Sequence, residues 1–189
     1  AARQAGVTQA LLGHIGQLPL ARSFGLIPRG DFGLGLTNDE TAAELARLGF
    51  ASATASFESR LAQIRDLSKP LDLELLVYGR LPLMLMEHCI LRNRGQGCHC
   101  QDKPQSLGDR KGEHFPVESA WGCRNELFNA KPLWLADKTD WRTAGAAYAR
   151  LAFLREGPGE CARVFRAYRE GAGEPPRAFT RGLYYRGVE

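Results

Sequence analysis

The sequence lacks any apolar run of the roughly 18 residues that a membrane-spanning helix requires. Its most hydrophobic stretch, LLVYGRLPLMLMEHCIL, is broken up by Arg80, Glu87 and Arg92. The N-terminus AARQAGVTQA lacks a basic region followed by an apolar core, so no secretory signal is expected in it, and it lacks an initiator Met. A soluble, cytoplasmic chain with no membrane partner is expected, and one whose upstream part is missing. No G-x-S-x-G and no H-E-x-x-H is present, so the common signatures of a serine nucleophile and a zinc protease are absent. Cysteines number five, an odd count, and four of them fall within thirty-five residues, which argues against a disulfide framework and for no disulfide partner. What is present is 189 residues with 44% hydrophobic and 24% charged content, enough for one domain, or one and a half, with a real core. The net charge of +4, from 25 Lys and Arg against 21 Asp and Glu, is a mild basic excess and no nucleic-acid footprint by itself.

The first half alternates short β-rich runs with helical patterns. TQALLGHIG reads as a strand and ARSFG as a short helix or turn. GDFGLGLT is expected to be a strand leading to Asn38, the N-cap of a helix over DETAAELARLG that stops at Gly49. FASATAS follows as a strand, FESRLAQIRDL as a helix with Leu61, Ile64 and Leu67 on one face, and LDLELLVYG as a further strand. Between residues 80 and 135 the rhythm gives way to Gly, Cys, Lys and Arg, with a hairpin expected over SLGDRKGEHFPVES. It resumes with a helix over DKTDWRTAGAAYARLAFL running into a last strand, and a final helix over GECARVFRAYREG whose apolar residues are Val164, Phe165 and Tyr168. Alternating β-α units imply a parallel sheet with helices outside it. The fold expected is therefore α/β, part of a TIM-like (β/α) barrel with a cysteine-rich β-hairpin insertion, divided as 1–79, 80–135 and 136–189. A partial barrel has open sheet edges, and the chain is expected to associate through them.

The cysteines are spaced C-x8-C-x-C-x22-C over Cys89, Cys98, Cys100 and Cys123. In a reducing compartment such a cluster reads as a metal site. Four thiolates suit an iron-sulfur cluster, whereas Cys98-His99-Cys100 is tighter than the C-x2-C knuckle usual in structural zinc sites; both metals remain open on spacing. Cys161 stands apart in a helical pattern and reads as a small buried apolar residue. His88, His99 and His114 are loop histidines or substitute ligands.

Several motifs in order, VYGRLPLM at 77–84, Cys89, GCHC at 97–100, DRKGEHFPV at 109–117, GCRNELFNAKPL at 122–133 and FTRGLYYRGVE at 179–189, resemble the C-terminal part of peptidase family U32, the collagenase-like proteins. The resemblance runs more weakly through SATASFESRLAQIRDLSKP and implies that an N-terminal barrel half precedes this chain. It implies that Cys89, Cys98, Cys100 and Cys123 hold a 4Fe-4S cluster, and that the protein takes part in hydroxylation, of tRNA or ribosomal RNA or of a small aromatic such as the ubiquinone ring. The alternatives are a collagenase-like protease and a zinc-stabilised binding module without catalysis. A cysteine protease needs a thiolate beside a His base. His88-Cys89 is the only adjacent pair, and neighbours on an extended chain point apart.

At the strand ends, Arg80 follows LDLELLVYG, where a barrel would turn it into the mouth, and its fork suits a carboxylate or phosphate; the alternative is an ion pair with Glu74 or Glu87. Glu58 opens a helix after a strand, as a catalytic carboxylate or an acidic residue favoured by the helix dipole. Arg110 and Lys111 are candidate RNA-backbone contacts or simply a polar hairpin tip. Because the cysteine insertion begins directly after Arg80, the redox centre and this anion-binding fork are expected side by side.

Overall fold

The computed structural model describes residues 3–90, 92 and 104–186. Five strands, β1 (Gln9–Leu12), β2 (Ile27–Gly30), β3 (Ser52–Thr54), β4 (Asp72–Gly79) and β10 (Tyr148–Ala152), lie parallel in that order. The two-residue strand β9 (Leu133–Trp134) runs antiparallel to the end of β4. The helices α1 (Leu18–Ser23), α2 (Asp39–Arg47) and α3 (Leu61–Asp66) alternate with the early strands, and α4 (Pro158–Glu170) follows β10. A second, antiparallel sheet is built between β4 and β9 from β5 (Pro82–Met86), β6 (Gln105–Gly108), β7 (His114–Ala120) and β8 (Arg124–Phe128), in the order β5-β8-β7-β6. No helix among the described residues is long and apolar enough to cross a membrane.

Local chemistry accounts for most of these elements. In β4 the run from Leu73 to Tyr78 is buried except at Glu74, because a parallel strand is covered on both faces and needs no alternation. Asn38 caps α2, its side chain accepting from the Thr41 N–H at 2.9 Å, and Asp39 and Glu40 complement the positive end of the helix. The helix ends where Gly49 takes φ +74°. Gly79 closes β4 at φ +129°, where a side chain would strike the Ala152 carbonyl of the neighbouring strand.

The parallel sheet is strongly curled, and a few side chains prove it. β2 and β10 stand three strand spacings apart, about 14 Å in a flat sheet. Yet Arg150 on β10 donates to Asp31, just past β2, at 2.6 Å, and Arg29 on β2 lies 5.0 Å from the Tyr148 ring centroid. The concave face is thus bridged by side chains.

Behind the sheet, Tyr78, Trp134, Trp141 and Tyr168 pack ring against ring, with centroids 5.5 to 6.3 Å apart. The Tyr168 hydroxyl donates to Val77 O at 2.5 Å and accepts from the Leu135 N–H at 2.7 Å, tying α4 to β4 and to the residue after β9. The tail is locked down as well. The Tyr184 hydroxyl donates to Leu76 O, and Arg181 forks onto Asp137.

Three local expectations are corrected. GDFGLGLT is not a strand, because β2 has already ended at Gly30; Asp31 accepts from the Phe32 N–H, and a 3-10 turn follows that ends at Gly35 with φ +65°. The helix expected before the last strand is a single 3-10 turn, Asp140–Thr143, interrupted by Gly145 at φ +79°, although the strand itself forms. On α4, Val164 and Tyr168 are buried but Phe165 is exposed; Ala167 takes the third core position. The hairpin over SLGDRKGEHFPVES forms as β6 and β7, though it carries no cysteine.

Candidate metal centre

The antiparallel pairing of β5 and β8 puts two cysteines that lie thirty-four positions apart at the same end of the sheet. Met86 faces Asn125, so the continued register sets Glu87 opposite Arg124 and His88 opposite Cys123, with Cys89 one residue further. The Glu87–Arg124 ion pair, with Arg124 Nε 2.9 Å from each carboxylate oxygen, joins the two side chains at the position that register predicts, one step past the last strand pair. Asn125 is fully buried; its Oδ1 accepts from the Ile90 N–H at 2.8 Å, so β8 holds the backbone of the residue after Cys89. Cys89 is half-buried, Cys123 is exposed, and neither forms a disulfide.

The turn that presents Cys123 is unusual. Ala120 ends β7, and Trp121–Cys123 form a 3-10 turn in which Gly122 has φ 72° and Cys123 has φ 60°. Cys123 is the one non-glycine residue with positive φ among the described residues. A β-carbon in that region is strained, and such strain persists where the surroundings impose it, commonly at functional positions. The two residues that follow it are tied down, Arg124 to Glu87 and Asn125 to the Ile90 N–H.

Cys98, Cys100 and His99 lie outside the described residues. Among the described residues no three His, Cys, Asp or Glu groups are arranged to hold a metal ion. Thiols such as Cys89 and Cys123, which follow β5 and precede β8 at the same end of the sheet, suit a soft metal, and the chain linking them carries the two further cysteines. Cys161 is remote from this pair, on α4, with its Sγ 3.5 Å from Glu156 O. His88 and His114 are both exposed, and His114 begins β7 at the opposite end from Cys123.

Arg80 is not beside the cysteines. It stands where the chain leaves β4 for β5, whereas Cys89 and Cys123 lie beyond the far end of β5; five strand residues at about 3.3 Å each separate the two positions by roughly 16 Å. Neither carboxylate considered for Arg80 is its partner, since Glu74 pairs with Arg150 and Glu87 with Arg124. Instead its Nη1 donates to the carbonyls of Asn129, at 3.0 Å, and Ala130, clamping the turn after β8 onto the end of β4. Arg80 also lines a groove of about 430 Å³ with Tyr78, His114, Arg155 and Glu156. Glu58 is exposed in the turn between β3 and α3, ahead of the helix rather than in its first turn. No hydrogen bond or ion pair joins it to Arg80 among the described residues. Arg110 and Lys111 are exposed at the β6–β7 tip, where Asp109 accepts from the N–H groups of Lys111 and Glu113 at 2.8 and 2.9 Å.

A polar network on the concave face of the parallel sheet has no counterpart in the sequence reading. Arg150 bridges Asp31 and Glu74, and its Nη2 donates to Thr54 Oγ1 at 2.9 Å. Below it, Arg29 donates to Gln9 and to Ser52, and the Tyr148 hydroxyl donates to Asp72. The sequence signal available was polar residues at alternate positions of β3 and β4. On the antiparallel sheet, burial pushes the Glu126 carboxyl above the ordinary carboxylate range.

No protein-family model, curated protein or solved structure matches this chain.

Proposed function

We propose that this chain is an iron-sulfur protein in which Cys89, Cys98, Cys100 and Cys123 hold a 4Fe-4S cluster, and that it acts in the hydroxylation of tRNA or ribosomal RNA, as the resemblance to the U32 family implies. The observation that carries the proposal is the β5–β8 register, which sets Cys89 and Cys123 at one end of a sheet while the chain between them carries the other two thiols. A cluster bound there supplies one-electron transfer. The protein's own part is to fix the two outer ligands, through Asn125 and the Glu87–Arg124 pair, before any metal arrives. Arg80, at the groove beyond β4, is assigned to an anionic group of the substrate, and Glu58, at the same end of the parallel sheet, to proton transfer.

Anaerobic purification tests this reading. The expected product is brown, carries about four iron atoms per chain and bleaches with dithionite. Colourless protein holding one zinc per chain would overturn it in favour of a zinc-stapled binding module. Arg80→Ala should abolish activity with iron content unchanged.

A further inference from the structure

We propose that the groove between the two sheets binds the phosphate group of an ester, with Arg80 on one wall and Ser106 and His114 on the other. This rests on the assignment of Arg80 to an anionic group of the substrate, and adds the kind of anion and two further residues that meet it.

Arg80 is half-buried and has no carboxylate partner among the described residues. Arg124, Arg150 and Arg181 are half-buried as well, and each holds one: Glu87 for the first, Asp31 and Glu74 for the second, Asp137 for the third. A partly desolvated guanidinium without such a partner keeps its charge unneutralised. Its Nη1 is spent on the carbonyls of Asn129 and Ala130, which pins the side chain in place. Nε and Nη2, the side-on pair that can grip two oxygens at once, have no partner among the described residues. The acids that line the same groove are engaged elsewhere. Glu156 accepts from the Tyr78 hydroxyl at 3.0 Å and from the N–H groups of Leu154 and Arg155 at 2.6 and 3.0 Å. Glu160 faces Arg163 at 3.6 Å, and Arg155 is itself given to Glu118.

The antiparallel sheet supplies the opposite wall. Ser106 on β6 pairs with Pro116 on β7, and Gly108 with His114, so Ser106 and His114 are diagonal neighbours on one face, with roughly 7–8 Å between them. Both line the groove, and neither side chain has a hydrogen-bond partner among the described residues. Two ties hold this wall against the other. Lys131, the residue after Ala130, pairs at 2.6 Å with Glu113, the residue before His114. Arg155 reaches Glu118 and the carbonyls of Gln105 and Val117. The three unpartnered groups are therefore positioned before any ligand arrives, which lowers the cost of binding one.

Their arrangement selects among anions. A carboxylate lies in one plane and pairs edge to edge with the arginine fork alone, whereas a phosphate is tetrahedral and takes donors from several directions. Here they come from three elements, the end of β4, β6 and β7. The groove, about 430 Å³, falls in the range of small-molecule sites and exceeds what a bare phosphate fills; Pro116, Pro132 and Pro176 offer apolar surface to the organic part of an ester. Its place, beyond the carboxyl end of a parallel strand, is where open α/β sheets bind their ligands.

The test is calorimetric titration of the anaerobically purified chain at low salt with uridine monophosphate and with uridine, iron and zinc being measured on the same samples. The monophosphate should bind at least about ten-fold more tightly than the nucleoside. Ser106→Ala and His114→Ala change exposed side chains, and each should weaken the monophosphate about ten-fold, the loss of one hydrogen bond to a charged group. Arg80→Lys keeps the charge without the fork and should weaken it further than either. Arg47→Ala, which removes an exposed arginine already paired with Glu44 on α2, should change nothing. An oligouridylate with hydroxyl ends identifies the source: if it displaces the monophosphate, the phosphate belongs to an RNA backbone, and if it does not, to a free ester; both results support a phosphate site. Uridine binding as tightly as its monophosphate, or Ser106→Ala and His114→Ala both binding as the wild type does, overturns the inference. Failure of the monophosphate to bind a chain that carries its iron also overturns it and leaves the cluster reading standing. Binding by a chain that holds zinc and no iron does the reverse.

Discussion

The two sheets of this molecule are held by different means. The parallel sheet buries apolar side chains from β1, β3, β4 and β9 and from α1 to α4, and it closes its polar concave face with an arginine bridge. In the antiparallel sheet, between residues 82 and 128, only Pro116, Val117 and Asn125 are buried among the described residues. Four strands with so little apolar burial are marginal in water. Their visible ties are the Arg80 clamp and ion pairs such as Arg155–Glu118 and Lys131–Glu113, and partly exposed pairs contribute only about 0 to 1 kcal/mol each. A region that cannot hold itself by burial is the one in which a metal adds folding free energy. Cys89 and Cys123 both belong to that region, and no strand of the parallel sheet carries a cysteine.

The largest effect should therefore fall on one sheet alone. Replacing Cys123 with Ser should cut bound iron to well under half of the wild-type content and erase amide-exchange protection over residues 114–128, leaving residues 72–79 protected. Cys161→Ser, on α4, should change neither. Equal iron loss in the two variants would break the assignment, and equal loss of protection in both sheets would break the comparison.

The next test addresses the parallel sheet. Arg150→Ala leaves Asp31 and Glu74 facing each other without their shared cation, and the three side chains keep only 19 to 21% of their surface exposed. Breaking a buried pair costs about 3–5 kcal/mol, and the residual exposure places this case near the lower figure. Urea unfolding followed by tryptophan emission reads it, and adding Glu74→Gln to the same chain should recover part of the loss. Iron content should not move, because this network is on the other sheet.

How much of this was legible in the sequence depends on range. Asn38, Gly49, the apolar run of β4 and the turn residues of the β6–β7 hairpin act within a few positions and were readable. GDFGLGLT misled because its alternation resembles a strand while Asp31 and Gly35 encode a turn. The Arg150–Asp31 bond joins residues 119 positions apart, and nothing local in YARLA announces it. For the metal centre, the cysteines were visible but Asn125 was not; its role depends on which strand it faces. The expectation that sets Arg80 beside the cysteines differs from the structure for the same reason, since Arg80 and Cys89 lie beyond opposite ends of β5.

A smaller change is expected from Tyr168→Phe, which keeps the ring in the aromatic cluster and removes only the hydroxyl. Val77 O then loses its donor and the Leu135 N–H its acceptor, both buried, at a cost of about 1–3 kcal/mol. Burial also pushes the Tyr168 and Tyr184 phenols well above their ordinary range. A raised folded-state value means that stability is intact below pH 10 or so and declines as alkali ionises the unfolded chain more readily. The variant's alkaline decline should be shallower than that of the wild type.

The smallest effect concerns the tail. Arg181 donates to Asp137 through both Nη atoms at 2.6 Å and to Trp134 O, and this fork holds the Asp137 carboxyl below the usual carboxylate range. The sign is opposite to that of the tyrosines. A depressed value means the unfolded chain binds the proton first, so the contribution is complete above about pH 4 and lost as pH falls through the lower folded-state value. Both side chains are partly open to solvent, which screens the pair and keeps its worth small. Arg181→Ala should therefore lower the melting temperature by a few degrees at neutral pH and by less at pH 2, where only the bond to Trp134 O remains to be lost, with salt narrowing the neutral-pH difference. If the difference persists undiminished in acid, Arg181 acts through its bond to Trp134 O and the ion pair contributes nothing.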